Sequence, residues 1–165
     1  MKLSLSSFVI MLVVAASASD PQTVILIRHG EKDSGNNLSP RGVQRSNCLA
    51  KLFTNTTGKF PTTPSHLFAY TDKSSNRSME TLAPLSYRTG VAIDTATGRD
   101  DVKGLVERIA MLSAEETMLV CWEHKLLTNI AKALGVVAPP SYPPSEYDWA
   151  WTVVGGRLTQ LNENC

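Results

Sequence analysis

Much that would specialise this chain is scarce in it. Its 165 residues hold only three cysteines, Cys48, Cys121 and Cys165. An odd number leaves at least one thiol unpaired, which excludes a small scaffold built on disulfides. Cys121 lies inside the apolar run Met118-Leu119-Val120-Cys121-Trp122 and reads as a small buried hydrophobe. Cys48 with Cys165 is the pairing to test, and three free thiols are the alternative. Net charge is also scarce, with 16 basic against 15 acidic residues. No basic stripe is visible, which excludes nucleic acid as the expected partner. Histidines number three, and they lack a zinc-type spacing with cysteine or carboxylate partners. No zinc site is expected from this spacing, and no cofactor is expected. There is no internal repeat and no linker.

Long apolar runs are missing with one exception, Phe8 to Ala16. A spanning helix wants roughly 20 apolar residues, and this run is shorter. Lys2 precedes it and Ala16-Ser17-Ala18 follows, the pattern of a secretory signal peptide. The expectation is a leader over 1–18 and one domain over 19–165, secreted and without a membrane span after cleavage. Without Lys2 the remaining chain carries 15 residues of each sign. Secretion makes the sequons at Asn37, Asn55 and Asn76 relevant. Asn55, in Thr54-Asn55-Thr56-Thr57-Gly58, reads as an exposed loop and is the best acceptor.

What is present alternates between strand and helix. Val24-Ile25-Leu26-Ile27 is a continuous apolar run, as in a parallel strand buried on both faces. Ser39-Pro40 opens a helix, with Leu49, Leu52 and Phe53 as its stripe. His66 to Tyr70 reads as a strand, Ser78 to Thr89 as a helix with Pro84 as a kink or boundary, and Val91 to Ile93 as a short strand. Val102, Leu105, Val106 and Ile109 mark a helix, Thr117 to Trp122 a strand, and Leu126 to Leu134 a helix ended by Gly135. Trp149 to Val154, Gly155-Gly156 and Arg157 to Leu161 read as a hairpin. The fold class expected is α/β, with three layers and a mostly parallel central sheet flanked by helices. In such sheets ligands bind beyond the carboxyl ends of the strands.

The chemistry-bearing residues lie there. The first strand runs into Arg28-His29-Gly30-Glu31, and the fourth into Glu123-His124-Lys125. Imidazole is a capable nucleophile near neutral pH. An arginine beside it holds phosphate by charge-assisted hydrogen bonds, and Gly30 lets a substrate approach the backbone. His66 starts a strand with no motif around it and reads as structural.

The segment Val24 to Glu31 resembles the Arg-His-Gly strand end of the histidine phosphatase (phosphoglycerate-mutase-like) superfamily. Leu38-Ser39-Pro40-Arg41-Gly42 is similar to that family's Leu-Ser/Thr-x-x-Gly helix opening. Arg77 to Leu85 resembles the segment bearing its second arginine, and Val120 to His124 the strand end bearing its second histidine. The order and spacing of these four segments match across nearly the whole mature chain. The resemblance implies that His29 becomes phosphohistidine, that Arg28 and Arg77 bind the phosphoryl oxygens and that His124 completes the pocket. It implies a small phosphorylated substrate and no metal.

The general acid stays open. The larger acid phosphatases of the superfamily have His-Asp at the second histidine, where this chain has His124-Lys125. Their longer Arg-His-Gly-x-Arg-x-Pro motif is also lacking. The smaller, mutase-like branch carries its acid in a loop after the second arginine, where Asp100 and Asp101 stand. Glu123 is the next candidate, and Glu31 another. Without an acid the enzyme would favour good leaving groups, such as acyl phosphates, phosphohistidine or aryl phosphates. The rival reading is an inactive phosphate-ligand-binding protein of the same fold. Mutase activity ranks lower, since the additional lid segments it asks for are lacking.

Overall fold

The computed structural model describes residues 21–60, 62–72 and 75–165. The expected leader lies outside them. Among the described residues the chain forms six strands and four helices: β1 (Thr23–Arg28), α1 (Pro40–Leu52), β2 (His66–Ala69), α2 (Arg77–Thr89), β3 (Ile93–Asp94), α3 (Val102–Ala110), β4 (Thr117–Trp122), α4 (His124–Ala133), β5 (Trp149–Val154) and β6 (Arg157–Asn162). They make one sheet in the order β3-β2-β4-β1-β5-β6. β1, β2, β3 and β4 run parallel, and β5 and β6 close the far edge as an antiparallel hairpin.

The apolar run of β1 follows from burial on both faces. Val24 and Leu26 pack with Leu105, Ile109, Leu127 and Ile130 of α3 and α4. Ile25 and Ile27 pack with Leu49 of α1 and with Leu82 and Leu85 of α2. Alternate residues of one strand thus serve two cores, which makes three layers. Trp151 is fully buried, and Trp149 is half-buried.

Ser39 caps α1 by accepting from the Gly42 N–H at 3.2 Å, with Pro40 in the first turn. The helix expected over Ser78 to Thr89 is α2, and one strand boundary differs from the sequence reading. α2 continues through Pro84 because Leu82 and Leu85 on either side are buried in the core, and that packing outweighs one missing backbone hydrogen bond. It stops at Gly90, whose φ of 75° is a left-handed cap. β3 begins at Ile93 rather than Val91. The Val91 carbonyl accepts from the Ser86 hydroxyl and its N–H donates to Thr89, so α2's end takes it before the sheet does.

Cys48 and Cys165 form a disulfide that ties the C-terminal tail to α1, and Cys121 is a buried free thiol. Burial pushes that thiol up to about 12. No described helix is long and apolar enough to cross a membrane.

Candidate active site

Strand register brings the two histidine segments together. β1 pairs with β4 from Thr23 opposite Thr117 to Arg28 opposite Trp122. The next residues, His29 and Glu123, are therefore neighbours across the sheet end, and the His29 N–H still donates to the Trp122 carbonyl at 3.2 Å. Glu123 is also the N-cap of α4, so His124 opens that helix rather than ending the strand. Arg77 opens α2 in the same way. Two helix N-termini, each with a positive dipole end, thus carry site residues.

His29 is 2 % exposed, and its Nδ1 lies 2.8 Å from the Gly30 carbonyl. A carbonyl only accepts, so Nδ1 carries the proton and the Nε2 lone pair is left for attack. The Gly30 N–H donates to Thr81 Oγ1 at 2.8 Å, and Thr81 donates to the Arg77 carbonyl at 2.7 Å. β1's end and α2's first turn are thereby locked together. α1 packs as closely. A Cβ on Gly42 would stand 2.3 Å from the Glu31 carbonyl oxygen, so only glycine fits there.

Arg28 and Arg77 are 5 % and 8 % exposed. Arg28 Nη1 donates to the Pro144 and Glu146 carbonyls at 2.7 Å each, and Tyr147 stacks on the guanidinium with its ring centroid 3.6 Å from Cζ. Tyr147 also meets the His29 ring edge-on at 6.4 Å. Arg77 Nη1 donates to the Asn36 carbonyl at 3.0 Å. In both arginines one arm is held by backbone carbonyls while the buried Nε has no partner. Unpartnered buried donors are costly, and a charged donor of this kind suits an anion. Burial lowers Arg28 from an arginine's ordinary value, with Tyr147 opposing.

Glu123 joins the two histidines. Its Oε2 is 3.7 Å from His29 Nε2, beyond hydrogen-bond distance, and makes an ion pair only when the His29 ring is charged. Its Oε1 is 2.5 Å from His124 Nδ1, without hydrogen-bond alignment. His29 first, then His124 and Arg28, hold this carboxyl down to about 2 against the effect of burial. Burial and the nearby Arg28 lower His124, favouring neutral imidazole.

The other acid candidates are engaged elsewhere. Asp101 caps α3 by accepting from the Gly104 N–H at 2.9 Å. Asp100 is exposed and accepts from Arg99 Nε at 3.0 Å. Their loop reaches the same sheet end, since Trp122 Nε1 donates to the Arg99 carbonyl at 2.8 Å. Glu31 pairs with Arg41 at 3.0 Å. His66 sits at the opposite end of the sheet, 2.9 Å from Glu116. Asn37, Asn55 and Asn76 are all exposed. Among the described residues no group of three or more His, Cys, Asp or Glu is arranged to hold a metal ion.

Three contributors were not picked out in the sequence. Tyr147 lies in a proline-rich loop whose path is set by contacts across the chain. Arg45 and Glu163, both 2 % exposed, form a buried pair behind Arg28. Arg45 did leave a signal: it stands one turn before Leu49 on the apolar stripe of α1, and a charge on a buried face requires a partner.

No protein-family model and no curated protein sequence matches this chain. Solved structures do. The protein histidine phosphatase SixA, complexed with tungstate, superposes with a TM-score of 0.62 at 14 % identity, over 86 % of this chain and 97 % of that one. The phosphoserine phosphatase of Entamoeba histolytica in complex with 3-phosphoglyceric acid gives 0.56 at 12 % identity, over 87 % of this chain and 100 % of that one. Mycobacterial hydrolase 1 gives 0.59 at 14 % identity, over 85 % and 97 %. These likenesses establish the α/β fold, of the phosphoglycerate-mutase-like kind.

Proposed function

We propose that this chain is a secreted phosphatase that hydrolyses small phosphorylated substrates through a phosphohistidine on His29. The observation that carries the reading is the imidazole held through Nδ1 on the Gly30 carbonyl, with Glu123 and His124 beside it and the first turn of α2, which Arg77 opens, tied to the same strand end through Thr81. The phosphatases among the similar folds, one complexed with tungstate, support the same class of chemistry. Secretion rests on the leader-like segment Met1 to Ala18.

The steps follow from the geometry. Arg28, Arg77 and His124 take the phosphoryl oxygens, and charge neutralisation lowers the barrier. The Nε2 lone pair attacks phosphorus, the bond from phosphorus to the leaving oxygen breaks, and that oxygen departs with the electron pair. The Nδ1–H bond to Gly30 steadies the imidazolium-like product. Water then attacks phosphorus, the P–N bond breaks, and Nε2 regains its lone pair as inorganic phosphate leaves with the water's oxygen and its protons.

Glu123 shapes substrate choice. A carboxyl group held down to about 2 has no proton to give near neutral pH. Asp100 and Asp101 are tied to Arg99 and to the α3 cap. The site therefore suits phosphates whose leaving group departs unprotonated. Turnover of acetyl phosphate, para-nitrophenyl phosphate and a simple alkyl phosphate tests this. The expected order is acyl first, aryl next and alkyl last, with about a hundredfold or more between the extremes, the size of a missing acid's contribution. Equal rates on all three would show that a general acid operates. Tungstate binding without any turnover would favour the rival reading, a phosphate-ligand-binding protein of the same fold.

A further inference from the structure

The buried pair behind Arg28 does something that packing alone does not require. Arg45 donates from Nε to Glu163 Oε2 at 2.8 Å and from Nη2 to Glu163 Oε1 at 2.6 Å. Its remaining arm, Nη1, donates to the Arg28 backbone carbonyl at 3.0 Å. That carbonyl belongs to the peptide joining Arg28 to His29. The N–H of the same peptide is held by the Trp122 carbonyl. On the β5 side, pairing with β1 stops at Ile27 opposite Ala150. The guanidinium of Arg45 thus takes over where the neighbouring strand ends, and both polar groups of this peptide are fixed.

The C-terminal tail holds the pair and the cover of the site at once. The Glu163 N–H donates to the Asp148 carbonyl at 2.7 Å, and the Cys165 N–H to Asp148 Oδ1 at 3.0 Å. Asp148 follows Tyr147, the residue stacked on Arg28. The disulfide from Cys165 returns to α1 at Cys48, less than one turn beyond Arg45. A buried ion pair contributes little net stability compared with apolar residues of similar volume. Here it supplies a rigid fork aimed at one carbonyl.

We propose that Arg45 and Glu163 are positioning residues for the phosphoryl site: the disulfide-closed tail carries Glu163 into the core, Glu163 fixes Arg45, and Arg45 sets the Arg28–His29 peptide. This rests on the phosphatase reading above. The test uses the full oxidised chain with the double replacement Arg45→Met with Glu163→Leu, beside Arg45→Lys. The apolar pair removes both charges together, so neither is left stranded. Lysine keeps a charge opposite Glu163 but lacks the second arm that reaches Arg28. Melting temperature, tungstate affinity and kcat/KM on acetyl phosphate are measured for each.

The expected result is a folded double variant with nearly unchanged melting temperature, weaker tungstate binding and kcat/KM reduced about a hundredfold, the effect of a misplacement near 1 Å. Arg45→Lys is expected to lose activity similarly, and it decides the matter alone should the double variant not fold. Folded variants with wild-type tungstate affinity and wild-type kcat/KM would overturn the proposal and leave the pair as ordinary core. Wild-type protein that neither binds tungstate nor turns over acetyl phosphate would instead overturn the phosphatase reading, and this inference with it.

Discussion

Replacement of His29 by alanine is expected to lower kcat/KM on acetyl phosphate by a thousandfold or more, a barrier rise of about 4 kcal/mol. The size follows from the role. The His29 ring is aimed by its own hydrogen bond, Nδ1 to Gly30 at 2.8 Å, and it follows the buried Arg28 at the end of β1. Arg28, Arg77 and His124 all remain in the variant, so tungstate should still bind, though more weakly. Loss of turnover with binding retained separates a missing nucleophile from a collapsed pocket. Near-wild-type turnover in folded His29→Ala would move the nucleophile elsewhere.

The second large effect is on stability. The Cys48–Cys165 disulfide closes a loop with a separation of 117 residues, most of the described domain. In the chain-entropy view, opening a loop of that length costs up to about 5 kcal/mol, equivalent to a fall of about 10–20 °C in melting temperature. That is a large share of the roughly 5–15 kcal/mol by which domains are stable. Cys48→Ser with Cys165→Ser, or reduction of the native protein, is expected to shift the denaturant midpoint accordingly. The tail also carries Glu163 to Arg45 and holds Asp148 beside Tyr147, so activity should fall with the stability. Identical unfolding midpoints for oxidised and reduced protein would contradict the account.

The parts of this structure that were legible in the sequence are those with a local cause. The run Val24 to Ile27 is apolar at every position because α1 and α2 cover one face and α3 and α4 the other. Arg28-His29 and Glu123-His124 meet because two parallel strands in register end at the same level. Ser39-Pro40 caps a helix by chemistry contained within four residues. The illegible parts are set by partners distant in the chain. Nothing in Pro143 to Asp148 announces that its carbonyls hold Arg28 and that Tyr147 lies on it, since that path depends on Asp148 accepting from the tail. Glu163 sits in the polar stretch Gln160 to Cys165, where a buried carboxylate has no pattern to betray it. Pro84 left a kink or a boundary open for a related reason: the choice rests on core packing, and Leu82 and Leu85 carry α2 through it. The acid remained open in the sequence because several carboxylates flank the motifs. In the structure Glu123 adjoins the two histidines, and its neighbours keep it ionised.

The phosphohistidine itself is the central claim, and it can be trapped. Rapid mixing with acetyl phosphate, quenching in alkali and peptide mapping by mass spectrometry should find one phosphoryl group on the peptide containing His29. A phosphoramidate survives alkali and is lost in acid, which distinguishes it from a phosphate ester. The account predicts this adduct at a level approaching one per chain during turnover, and its disappearance in His29→Ala. Steady turnover with no adduct at any quench time, or an acid-stable adduct on another residue, would contradict it.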